Sequence, residues 1–185
     1  MLDPDHAWTD SAHVTTITCV RSVDLGGVLG VLDVRTGPAH VRLQDLDPAP
    51  VQANERWEAP VQLAEAAGWI VVVEPGGTLC LEPTVRAGLL QLGAVLTIYY
   101  SINADAEFFF SEDDVARRFD PVTWPDGQLG QPLDQEAGLT FGASGGGNAH
   151  EQSVRLMERI TGIDFTTPWV LTTPRATYSA PTYVP

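Results

Sequence analysis

The chain contains no lysine; all ten of its cationic residues are arginine. That absence removes several chemistries at once. No side-chain amine is present to form a Schiff base or to reach a nucleotide's phosphates from a Walker loop. Cations of any kind are scarce: 24 Asp and Glu residues set the formal net charge at −14 over 185 residues. Such a balance argues against binding nucleic acid or an anionic membrane through a basic patch. Cysteine is nearly absent, with Cys19 and Cys80 alone. Two isolated cysteines without short spacing make neither a zinc site nor a disulfide framework, and they read as buried apolar residues in a reducing cytosol. His6, His13, His40 and His150 are scattered without metal-ligand spacing. No uncharged apolar run reaches the length of a membrane span, and MLDPDHAWTD lacks the regions of a secretory signal. The expectation is a cytoplasmic protein with no cofactor and no bound metal.

What is present is an ordinary globular core, 44% hydrophobic. The length suits one domain, placed at residues 13–171, with flexible termini at 1–12 and 172–185. The most apolar stretch, residues 68–111, organises the rest. Trp69 to Val73 (WIVVV) suits a strand covered on both faces. Pro75, Gly76 and Gly77 predict a hairpin turn, with Thr78 to Leu81 as the return strand. Pro83 starts a helix with Val85, Leu89 and Leu92 on one face, and Gly93 stops it. Ala94 to Tyr100, Glu107 to Phe110 and Val115 to Phe119 follow as strands. Tyr99, Tyr100 and Phe108 to Phe110 alternate across two of these strands, so an outward pair would form a binding patch unless a helix covers it.

Around this stretch, His13 to Val20 reads as a strand and Asp24 as the cap of a short helix to Asp33. A short strand is expected around His40 to Leu43. Pro60, Val61, Ala64 and Ala67 fall at helical spacing, with Gly68 as the C′ stop. Residues 120–148 read mostly as loop, with a short helix near Leu133 to Ala137. Asn148 and Glu151 form a capping box for a helix to Thr161, ended by Gly162, and a helical turn is expected over Thr166 to Leu171. The mixed order predicts an α+β fold, with a largely antiparallel sheet of about five to six strands and about three to five helices.

Several motifs occur in an ordered series: Trp69, Glu74, Gly76 and Gly77, then Asn103, Ala104 and Phe108, then Phe119, Asp120 and Pro121, then Thr161 and Gly162. In this order they resemble a family of actinobacterial proteins defined as a domain of unknown function. The resemblance spans residues 13–171. It implies a small soluble bacterial protein and carries over no catalytic residue.

Gly142 to Gly146 matches G-x-S-x-G, but the strand before it is too short and no histidine follows Asp164, so a linker explains it better. The Gly145–Asn148 stretch leads into a helix N-terminus, where Asn148 reads as the cap. Glu74 ends the most apolar strand; such a carboxylate can bind a partner's arginine, or can accept backbone hydrogen bonds and fix the turn. Asp120 before Pro121 has the same two readings. Glu112, Asp113 and Asp114 form an acidic tip without the ligand alternation of a calcium loop. The favoured reading is a non-enzymatic protein-binding module, regulatory or immunity-like by analogy, with Glu74, Glu112, Asp113, Asp114 and Asp120 as candidate binding residues and a basic protein as partner. The alternative is an enzyme or small-molecule binder with a pocket beside the sheet near Glu74 and Asp120, His150 supplying a further polar group. Mimicry of nucleic acid by spaced carboxylates is a minor third reading.

Overall fold

Every side chain of the strand Trp69–Glu74 is buried, because helices cover the sheet on both faces. The computed structural model describes residues 4–10, 16–34, 39–53, 56–101, 103, 105–142 and 148–182. Its strands are β1 (Thr16–Val20), β2 (Ala39–Val41), β3 (Val51–Ala53), β4 (Arg56–Ala66), β5 (Trp69–Glu74), β6 (Val95–Tyr100), β7 (Ala106–Glu112), β8 (Val115–Asp120), β9 (Trp124–Leu129) and β10 (Arg175–Pro181). The helices are α1 (Leu25–Val31), α2 (Pro83–Leu90) and α3 (Ala149–Thr161). The fold is α+β around one antiparallel sheet of order β2-β10-β4-β5-β1-β6-β7-β8-β9, with β3 paired to β4 off this path.

Alternation along each strand sends successive residues to opposite faces. Ile17, Cys19, Val71, Val73, Leu96, Ile98, Phe108, Phe110 and Phe119 pack with Val154, Leu156 and Met157 of α3. Val20, Ile70, Val72, Val95 and Phe109 pack on the other side with Val28 of α1, Leu32 just beyond it and Leu89 of α2. The helix signals act locally as expected. Asp24 accepts a hydrogen bond from Gly27 N at 2.8 Å. Asn148 accepts from His150 N and Glu151 N, and Gly162 closes α3 in the left-handed region at φ 71°.

Several expectations are corrected. The sheet is wider than five to six strands. Residues 60–66, expected as part of a helix, belong to β4, where Val61 and Leu63 follow period two toward the α2 face. Pro60 precedes the stretch Gln62–Ala66 that β5 pairs, so its ring stays out of the central ladder. Ala67 and Gly68, at φ 49° and 79°, form the two-residue turn joining β4 to β5, a primed hairpin turn rather than a helix end. No return strand follows Gly77: Leu79–Leu81 is a single 3-10 turn leading into α2. Part of the stretch after Asp120, expected as loop, is β9. The ends also depart from the expected flexible termini. Pro4–Asp10 forms 3-10 turns that bury Trp8, and β10 is an interior strand. Residues 13–15, Ala104 and residues 143–147, hence most of the G-x-S-x-G match, lie outside the described residues.

Candidate functional site

Three of the five candidate residues sit at one hairpin tip. Glu112 ends β7 and Val115 opens β8, with Asp113 (φ 48°) and Asp114 making the turn between them. Glu112 forms an ion pair with Arg21. A shallow cavity of about 430 Å³ opens here, lined by Arg21, Glu112, Asp113, Val115, Asp134 and Gln135 among others. Asp134 comes from the short 3-10 turn Asp134–Glu136. That turn is anchored by Arg117, which donates to Glu136 through Nε at 2.8 Å and Nη2 at 3.1 Å.

Glu74 lies elsewhere and is only 1% exposed. Its oxygens accept from Leu79 N at 2.6 Å and Cys80 N at 3.0 Å, tying the 3-10 turn to the end of β5. Thr16 Oγ1 donates to Gly77 O at 2.7 Å and closes the same loop. Burial raises the Glu74 carboxyl pKa, and the hydrogen bonds from Cys80 and Leu79 offset part of that rise. Burial also holds the neighbouring Cys80 thiol well above its usual range.

Register carries this position across the sheet. Glu74 pairs with Thr16, Thr16 with Tyr99, and Tyr99 with Glu107. Asp120, the residue after the Phe108 partner Phe119, continues the row. Four strand spacings therefore separate Glu74 from Asp120, about 19 Å. Asp120 Oδ1 accepts from Val122 N at 2.8 Å and Thr123 N at 3.0 Å, and Oδ2 accepts from the Thr123 hydroxyl. Both carboxylates thus fix turns.

Between them lies a groove of about 730 Å³ that takes in Asp120 but not Glu74. One wall is apolar, from Leu81, Pro83, Ala87 and Leu90; Phe109 and Tyr99 line it from the sheet, and Arg86, Asp105, Glu107 and Arg118 supply charge. Glu107 is held by Arg86 and by Arg118, whose Nε stands 2.7 Å from Oε2. The Arg86 guanidinium lies over the Phe109 ring, 4.4 Å from its centroid. Just outside, Trp124 is paired with Asp120 and is 66% exposed.

Trp57 of β4 is also exposed, at 41%; Tyr100 is partly covered. Tyr100 stacks on His150 at 4.3 Å between centroids, and its hydroxyl pKa is pushed up to about 12 by burial and by the charge of Asp120. His150 Nδ1 is 3.0 Å from Thr9 O, on the α3 side of the sheet. Glu74, Asp120 and His150 therefore do not converge. Among the described residues, no group of three His, Cys, Asp or Glu side chains gathers to hold a metal. No described helix is long and apolar enough to cross a membrane.

Sequence reasoning missed the Arg86–Glu107–Arg118 cluster, although part of the signal was there. A two-residue turn at Asp113–Asp114 dictates the β7–β8 register, and that register sets Arg118 opposite Phe109, diagonal to Glu107. The approach of Arg86 and Asp134 depends on packing and has no local signal. No protein-family model matches the chain, and no curated protein or solved structure matches it either.

Proposed function

We propose that this is a non-enzymatic, cytoplasmic protein-binding module, regulatory or immunity-like, that docks a basic protein on the acidic tip of the β7–β8 hairpin. One observation carries the reading: Glu112 and Asp113 meet Asp134 from a distant turn in a shared concavity. Among the described residues, Arg21 is the one cation lining that concavity, and Glu112 already engages it. Asp114 and the half-exposed Val115 extend the patch with charge and a small apolar contact. The overall charge of −14 favours encounter with a cationic surface. The motif resemblance to a family of unknown function belongs to the same reading and adds no catalytic residue. Neither Glu74 nor Asp120 is needed by it, since both are occupied in turns.

The experiment is capture from native cell extract with the wild-type protein, with a Glu112→Arg/Asp113→Arg/Asp114→Arg variant and with Arg118→Gln as a distant control. Recovery of a basic partner by wild type and Arg118→Gln, but not by the triple variant, is the expected result. An absent partner, or equal recovery by the triple variant, removes the acidic-tip reading.

A second reading is favoured by the groove along α2. It would make the protein a small-molecule or peptide binder, with Asp120 at the rim and without the catalytic set that an enzyme requires.

A further inference from the structure

The arrangement at the groove floor is unusual for a chain with this composition. Only ten cations balance 24 acids, yet two arginines converge on one carboxylate. Arg86 Nη2 reaches Glu107 Oε1, while Arg118 Nε and Nη2 reach Oε2 at 2.7 and 2.5 Å. The trio carries a formal surplus of one positive charge, set inside a rim where Asp105 and Asp120 bring the whole groove lining to −1. Its donors are not used up either. Among the described residues, Arg86 Nη1 and Arg118 Nη1 make no hydrogen bond, and Arg86 Nε is buried with no partner. A purely structural ion cluster is expected to be sealed and fully paired. This one opens to the groove through Arg118, whose side chain is 46% exposed, and leaves the Nη1 donors of both arginines unused.

We propose that the groove holds a monocarboxylate ligand with a compact apolar body. Its carboxylate would lie against Arg86 and Arg118, with its body on Leu81, Leu90 and Tyr99. Arg86 Cζ sits over the Phe109 ring, which restrains the position of that guanidinium, and a planar fork of donors matches a carboxylate. The rim explains the choice of a single charge. Asp105 and Asp120 flank the site and would repel a phosphate carrying nearly two charges more strongly than a carboxylate carrying one. Glu107 acts as an internal competitor that holds the two arginines in place while the groove is empty. This inference deepens the groove reading and is independent of the acidic tip.

The test is calorimetric titration of the full chain with 3-phenylpropionate, with 3-phenylpropanamide, with inorganic phosphate, and with N-acetyl-Leu-Phe as free acid and as amide. The free acids are expected to saturate the protein below about 10 mM, with each amide weaker by about tenfold or more. Arg118→Gln, at a side chain 46% exposed, should fold normally and weaken both acids by about tenfold. Glu107→Gln should move affinity the other way and tighten binding, because it removes the competitor. A tighter peptide acid points to a chain terminus as the source of the carboxylate; a tighter phenylpropionate points to a free small acid. The proposal fails if neither acid saturates, if amides bind as well as acids, if phosphate binds as tightly, or if Glu107→Gln folds and weakens binding. Unchanged acid binding in Arg118→Gln also overturns it. Because these probes are small molecules added to purified protein, their failure leaves the acidic-tip result untouched, and the converse holds.

Discussion

Arg117 is 1% exposed and would be costly to bury alone. Besides the forked pair to Glu136, it donates to Asp126 O at 3.2 Å and Pro125 O at 3.4 Å, and it lies over Phe119. Removing its partner leaves an uncompensated buried charge, so Glu136→Gln should lower unfolding free energy by about 3 kcal/mol in urea melts. Gly127 is constrained by the same group: at φ 105° an added Cβ would stand 1.9 Å from Arg117 Nη1. Glu74 offers a test with a definite sign. Its pKa is raised above the ordinary 4.5 in the folded chain, so the folded state binds this proton more tightly than the unfolded state does. Its contribution to stability is therefore full below the unfolded pKa and declines as pH rises through the folded one. Urea midpoints of wild type relative to Glu74→Gln should fall with increasing pH just above 4.5; a relative midpoint that rises over that window would contradict the burial argument.

At the scale of elements, what was legible is what local chemistry decides alone. WIVVV is too apolar for any place but the sheet centre, and Asn148 and Gly162 mark both ends of α3. The acidic tip was legible for the same reason, as a turn between alternating strands, although the turn is shorter than the expected Ser111 to Asp114, because Ser111 and Glu112 pair within β7. Elsewhere two local rules competed. Val61, Ala64 and Ala67 fit a helical stripe, yet Ala59, Val61 and Leu63 fit a strand equally well, and pairing with β5 and β10 decided it. Gly68 could not arbitrate, because a helix stop and a primed hairpin turn both need positive φ. The segment RATYSAP has the composition of a mobile tail; its order comes from Ala176 to Pro181 pairing with Leu63 to Glu58 of β4. Ending the chain after Thr173 should therefore do more than trim an end. It strips β4 and β2 of a common neighbour, and the expected outcome is loss of the cooperative thermal transition with aggregation on gel filtration. A truncated chain that melts like the full one would show β10 to be dispensable.

The whole molecule separates its two candidate surfaces. The acidic tip closes one end of the β7–β8 hairpin, and the groove with Glu107 and Asp120 lies toward the other, about 17 Å away along the strands. Helices on both faces cover much of the aromatic surface; among the described residues Trp57 of β4 and Trp124 and Leu129 of β9 remain exposed, and with the hairpin ends and the α2 groove they are the places open to recognition. The position of β10 also bears on how the chain is made. Gln62 donates to the Thr177 hydroxyl, 115 residues further on, so at a translation rate of about 5–20 residues per second β4 waits roughly ten seconds for its outer neighbour. Through that interval the nascent chain carries an open strand edge beside an already apolar hairpin. Its yield in the cell should therefore depend on protection of that edge by chaperones during synthesis more than on the final strength of the core.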